Sequence, residues 1–161
     1  MRISRRLAMP TAALAIAALA APTAAQAGSA KFASASASIA ANGALAASFD
    51  ERGLGNENVN YVLTAHAEAT FGCINGGAKH PQAANKETIS SEVSATASIE
   101  PKNGRVVATI KTAAPTPGGF SCPSGQKLVF GGVSYSDIKL ADTTNGSSVT
   151  LPDVTKTYVA F

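Results

Sequence analysis

The stretch Val59-Asn60-Tyr61-Val62-Leu63-Thr64-Ala65-His66-Ala67-Glu68-Ala69-Thr70-Phe71-Gly72-Cys73 alternates with a period of two. Val59, Tyr61, Leu63, Ala65, Ala67, Ala69, Phe71 and Cys73 share one face. Asn60, Thr64, His66, Glu68 and Thr70 share the other, with Val62 its only apolar member. Successive side chains of a strand point to opposite sides, so the pattern predicts a half-buried antiparallel strand with one wet face.

The same period recurs on both sides of it. Ile89, Val93, Ala95, Ala97 and Ile99 alternate with Glu92, Ser94, Thr96 and Ser98, and residues 31–40 and 44–49 form two strands separated by Asn42-Gly43. Asn-Gly is the strongest short hairpin signal because both central residues of a type I′ turn need φ > 0. Pro101-Lys102-Asn103-Gly104 is therefore read as a hairpin joining the Ile89 strand to Arg105–Lys111. Thr144-Asn145-Gly146 likewise joins a strand ending near Ala141 to Ser148–Leu151. Lys127–Val133 and Tyr135–Leu140 form one long strand whose alternation slips near Gly131-Gly132 or Ser136-Asp137, the mark of a bulge. Thr155–Phe161 closes the set. No segment after the N-terminal region carries a helical stripe. Short strands with frequent turns predict an all-β fold: an antiparallel β-sandwich, immunoglobulin-like or a related Greek key, of seven to nine strands with one disulfide. A small closed β-barrel is the alternative.

The N-terminus has a different character. Arg2, Arg5 and Arg6 precede an apolar run from Leu7 to Ala21, then a small-residue tract ending Ala25-Gln26-Ala27. This pattern predicts a signal peptide cleaved near Ala27. The apolar run is too short to span a bilayer as a helix, which needs about 20 residues. Residues 28–161 are then a single secreted domain, extracellular and detached from the membrane.

Removing the signal corrects the electrostatics. The whole chain has 13 Lys and Arg against 10 Asp and Glu. The three signal arginines leave with it, so the mature part is formally neutral, which argues against nucleic acid and anionic membranes as partners. Cys73 and Cys122 are the two cysteines. In an exported chain an even count reads as a disulfide, and two cysteines leave one pairing. Long connections flank them, and three stretches fall outside the strands: Asp50–Asn58, Ile74–Lys86 and Thr112–Gln126.

Motif chemistry is sparse. His66 and Glu68 share a wet face and, with His80 from the neighbouring loop, make the residue set for an extracellular hydrolase. Zinc held by Cys73, Cys122, His66 and His80 fits no ligand spacing and is precluded by thiol oxidation. Asp50, Asn56 and Asn58 offer oxygen atoms among glycines, a weak calcium candidate that matches no helix–loop–helix pattern. No Gly-x-Ser-x-Gly elbow occurs. No cofactor is called for.

Phe49-Asp50-Glu51-Arg52-Gly53-Leu54-Gly55-Asn56, Cys73-Ile74-Asn75-Gly76-Gly77, Lys102-Asn103-Gly104-Arg105-Val106 and Phe120-Ser121-Cys122-Pro123-Ser124-Gly125-Gln126 resemble segments of small secreted proteins of Streptomyces and related actinobacteria. The closing Asp142-Thr143-Thr144-Asn145-Gly146 fits as well. The resemblance implies export and a single domain, and brings no catalytic or binding residue with it.

The leading expectation is a non-enzymatic domain that binds an extracellular protein, glycan or cell-envelope partner through its disulfide-linked loops. Phe120, Ser121, Pro123, Asn75 and His80 are the contact candidates. An enzyme inhibitor is the specific version, with Thr112–Gln126 as a bait stiffened by Pro115, Pro117, Pro123 and the disulfide. The hydrolase and a small apolar-ligand carrier are the competing readings.

Overall fold

The computed structural model describes residues 29–75 and 85–160. The expected signal peptide, His80 and Phe161 lie outside the described residues. Eight strands succeed one another in chain order: β1 (Lys31–Ile39), β2 (Leu45–Arg52), β3 (Val59–Asn75), β4 (Lys86–Ile99), β5 (Arg105–Lys111), β6 (Gln126–Asp142), β7 (Ser147–Thr150) and β8 (Val154–Thr157). They form two antiparallel sheets, one ordered β1-β2-β5 and the other β4-β3-β6-β7, with β8 also on β6. First, second and fifth strands in one sheet and the remainder in the other is an immunoglobulin-like order. The fold is a sandwich; the barrel alternative is not what forms.

The alternation in β3 sorts side chains as its sequence dictates. Every residue on the Val59–Cys73 face is buried, and Tyr61 and Leu63 stand at the centre of the core. They meet Leu45, Ala47 and Phe49 of β2, Val106 and Ile110 of β5, and Val133, Tyr135, Ile138 and Leu140 of β6. Phe49 packs on Tyr61 with ring centroids 4.7 Å apart. Side chains from both sheets meet in one cluster between them.

Two bulges shape β6. Its pairing with β3 shifts between Thr64 and His66 and again between Thr70 and Phe71, each time with one extra residue on β6. The sequence offers these two places as alternatives for one slip; a bulge occurs at each. Asp137 takes the first with φ 51°, and each extra residue exchanges the faces of the residues beyond it. The inner side of the strand therefore runs Leu128, exposed beyond the core, and Phe130, then Val133 and Tyr135, then Ile138 and Leu140. The kinked strand carries β7 along Lys139–Asp142 and β8 along Gly132–Tyr135, end to end on one edge.

Gly132 is required by that arrangement. A Cβ there would stand 2.7 Å from the backbone oxygen of Lys156 in β8. Gly132→Ala is expected to cost about 1–3 kcal/mol and to strip β8 from β6. Hydrogen exchange would show this as lost protection of Thr155–Thr157 with protection of β3 retained. Unchanged exchange in β8 would refute it.

Three sequence expectations need correction. The Asn103-Gly104 turn forms, with φ 53° and 73°, but closes only an isolated Lys102–Arg105 bridge. Its flanking strands then diverge into different sheets, so Pro101–Gly104 is a crossover and not a strand hairpin. The chain expected to leave the ladder at Asp50 stays in it: β2 runs to Arg52, paired residue by residue with β5. Finally, β3 continues through Ile74 and Asn75, paired with Lys127 and Gln126.

Candidate functional site

The sandwich has two different ends. At one lie the β2–β3 and β6–β7 connections; at the other, the β1–β2 turn, the start of β6, and the segment after β5. The Cys73–Cys122 disulfide closes the second end, with Cα atoms 5.6 Å apart and a sequence separation of 49. It ties the end of β3 to the 112–125 segment.

Several bonds fasten the same end. Gly43 at φ 89° turns the chain between β1 and β2, where a Cβ would stand 2.6 Å from the Phe130 ring. The Tyr135 hydroxyl donates to the Gly43 carbonyl at 2.7 Å, and Tyr158 donates to Ala40 at 2.8 Å. The Thr112 hydroxyl accepts from the Leu45 amide. Phe71, Phe130 and Tyr158 stack in series, with centroids 5.1 and 4.9 Å apart.

The 112–125 segment divides in two. Its first part does not protrude. The sheet containing β4 is wider than the one facing it, so the inner side of β4 overhangs, and residues 113–118 lie beside that overhang. Together they enclose a cleft of about 380 Å³ lined by Ile89, Glu92, Val93, Ala113, Ala114 and Pro115 among others. Phe120, expected as a contact residue, is half-buried and packs on the core instead. Its apolar ring is worth more against the core than in water. Ser121, Pro123, Ser124 and Gly125 are exposed beyond it, and Asn75 is exposed at the end of β3.

Asp50, one of the three calcium candidates, is engaged by two arginines. Its two oxygens accept from Arg105 at 2.7 and 2.9 Å and from Arg52 at 2.8 Å. The Arg105 and then the Arg52 hydrogen bonds hold its carboxyl well below the usual carboxylate range. Asn56 and Asn58 are exposed in the β2–β3 connection, at the end opposite the disulfide. No group of three or more His, Cys, Asp or Glu suited to a metal occurs among the described residues.

On the wet face of the wider sheet, the described partners of His66 come from β4; His80, the third member of the sequence set, lies outside the described residues. His66 stands directly opposite Glu92 in the β3–β4 register, and its Nδ1 lies 2.6 Å from Glu92 Oε1. Its Nε2 lies 2.9 Å from the Ser90 hydroxyl, one diagonal step along β4. The Glu92 hydrogen bond is the main reason the His66 imidazole titrates above its ordinary value. Desolvation opposes it, and the charges of Glu92, Glu68 and Asp137 add to it. Sequence alone does not single out Ser90 and Glu92, because a long connection of unknown conformation leaves the β3–β4 register open. The alternation shows only that both belong to the wet face.

Glu51 and Asp142 form a second polar cluster, inside the core. Both are buried, at 0% and 1% exposure. Asp142 accepts from the Thr144 and Asn145 amides and from the Asn145 side chain. Glu51 accepts from the Ser147 hydroxyl through Oε1, while its Oε2 and the Tyr61 hydroxyl have no hydrogen-bond partner among the described residues. Burial pushes the Glu51 carboxyl above its ordinary value; Asp142 adds to this, and Ser147 and Tyr61 oppose it.

The chain matches no protein-family model, and neither curated proteins nor solved structures give a match. No described helix is long and apolar enough to cross a membrane.

Proposed function

We propose that the chain is a secreted recognition domain that meets an extracellular protein with its disulfide-clamped end. The observation that carries this reading is the exposed tip Ser121, Pro123, Ser124 and Gly125, pinned from within by the Cys73–Cys122 bond and at its start by packed Phe120. A loop already held in one conformation loses little entropy on binding, which is where rigid β scaffolds place recognition. Asn75 extends the surface, and Leu128 adds an apolar element at 42% exposure. The inhibitor version survives in reduced form: the bait is the 121–125 tip, since the first half of the segment lies along the sheet.

A protein is favoured over a glycan by the surface chemistry. Sugar rings stack on exposed aromatic faces, and the large apolar side chains exposed among the described residues are Val107 and Leu128, both aliphatic. Export itself accords with the disulfide, which persists in oxidising compartments.

The test is capture from culture medium on immobilised mature domain, run in parallel with a Ser121→Arg/Pro123→Arg variant. A protein retained by the wild type and lost by at least ten-fold with the variant is the expected result. Equal retention by both, or binding only to a glycan panel, would reject the reading.

A further inference from the structure

Ser90, His66 and Glu92 are joined in the order that serine nucleophiles use. The Ser90 hydroxyl meets His66 Nε2 at 2.9 Å, and the opposite ring nitrogen meets Glu92 at 2.6 Å. A carboxylate on Nδ1 fixes the tautomer that leaves Nε2 free to accept the hydroxyl proton. Such a triad is defined by geometry and roles, whatever the fold that carries it.

Two features of the surroundings suit this bond network to a substrate. The first is the position of β4, which pairs with β3 alone and forms the sheet edge. Along an antiparallel edge strand, alternate N–H groups point away from the sheet and have no ladder partner. Of the consecutive amides of Ser90 and Ser91, one therefore points out from the edge. That is the kind of donor an oxyanion needs beside the attacking oxygen. The second is access: the triad opens directly on the wet face, with the Glu92 side chain 79% exposed, so a small ester reaches Ser90 from solvent. The cleft beside Ile89 and Val93 lies on the opposite, inner side of β4 and takes no part.

We infer that Ser90 is a nucleophile toward small uncharged carboxylic esters, with His66 as its base and Glu92 as a positioning residue. Ser90 Oγ bonds to the ester carbonyl carbon while its proton passes to His66 Nε2. The tetrahedral adduct then expels the alkoxide, which takes that proton and leaves as the alcohol, with the acyl group on Ser90. Water, deprotonated by His66, attacks the acyl carbon. Ser90 is released with the proton returned, so the balance is ester plus water to acid plus alcohol.

The reaction needs neutral imidazole. The charged groups facing His66 are Glu92 on β4, Glu68 on its own strand, and Asp137 on β6, with Lys139 one step further opposite Thr64. Three acids outnumber one base there, so the rate should rise only on the alkaline side of the ordinary histidine range.

The experiment uses the full mature chain with p-nitrophenyl butyrate, and separately with a fluorophosphonate probe and peptide mass spectrometry of the labelled chain. The expected results are an adduct on Ser90 and ester hydrolysis that falls at least 100-fold in Ser90→Ala and His66→Asn. Glu92→Gln should move the pH limb downward while retaining the adduct. All three side chains lie on the wet face, and thermal melting checks that the variants fold. A wild-type rate equal to that of Ser90→Ala, or an adduct only elsewhere, overturns the inference. Neither outcome touches the recognition tip, because labelling requires no partner protein.

Discussion

Replacing Cys73 and Cys122 together by serine is expected to lower unfolding free energy by about 4 kcal/mol, the chain-entropy value for a cross-link spanning some 50 residues. In thermal melting this corresponds to a fall on the order of 15 °C for a domain of this size. The thin core makes the loss weigh heavily. Ala47, Ala65, Ala67 and Ala69 occupy inward positions that larger side chains fill in other sandwiches, and each buries only a methyl group. The sheets themselves should persist in far-UV circular dichroism at low temperature, because the bond joins a strand end to a loop and does not bridge the sheets. A change in melting temperature below about 3 °C would show that the fastening of the Gly43 turn by Tyr135 suffices without the bond.

Glu51→Gln is expected to stabilise the domain at alkaline pH and to leave it unaffected near pH 4. A folded-state value raised above the ordinary 4.5 means that the native chain holds a proton that the unfolded chain has released. The stabilising contribution is complete below about pH 4.5 and is lost as pH climbs through the folded-state value. Within that window stability falls by roughly 1.4 kcal/mol per pH unit. Gln copies the protonated acid: its carbonyl can accept from Ser147, and its amide supplies a permanent donor where Oε2 otherwise lacks a partner. Denaturant unfolding at pH 5, 7 and 9 gives the comparison, and the difference between variant and wild type separates Glu51 from His66, which also titrates. Equal stability of the two proteins at pH 9 would refute the assignment.

How much of this is readable in the sequence depends on the range of the interaction involved. The faces of β3 come from Val59–Cys73 alone, since a period of two is a local property. The slips in β6 are visible for the same reason. The Asn103-Gly104 turn is also readable, yet turn chemistry says nothing about which sheet each arm joins, so a crossover looks like a hairpin. Asp50-Glu51-Arg52 resembles a loop until its partners are known. Arg105, 55 residues on, neutralises Asp50, and Ser147, 96 residues on, satisfies one oxygen of Glu51. The pairing of His66 with Glu92 does not emerge because residues 76–85 leave the register free. Whether Phe120 reaches solvent or core is likewise a matter of the width of the opposing sheet.

The two bulges of β6 act on inheritance as well as on shape. Each inserts one residue and reverses inside and outside, so the second restores the parity that the first disturbed. The strand thus has a reading frame of faces. Tyr135 and Ile138 share the inner face although they stand three apart, because Asp137 is absorbed by the bulge. Losing Asp137 would leave them two apart in regular alternation, with both still inside. Losing a residue between the bulges, such as Ser134, would instead turn Val133 out relative to Tyr135. Single-residue length variation is therefore tolerable at the bulges and forbidden between them.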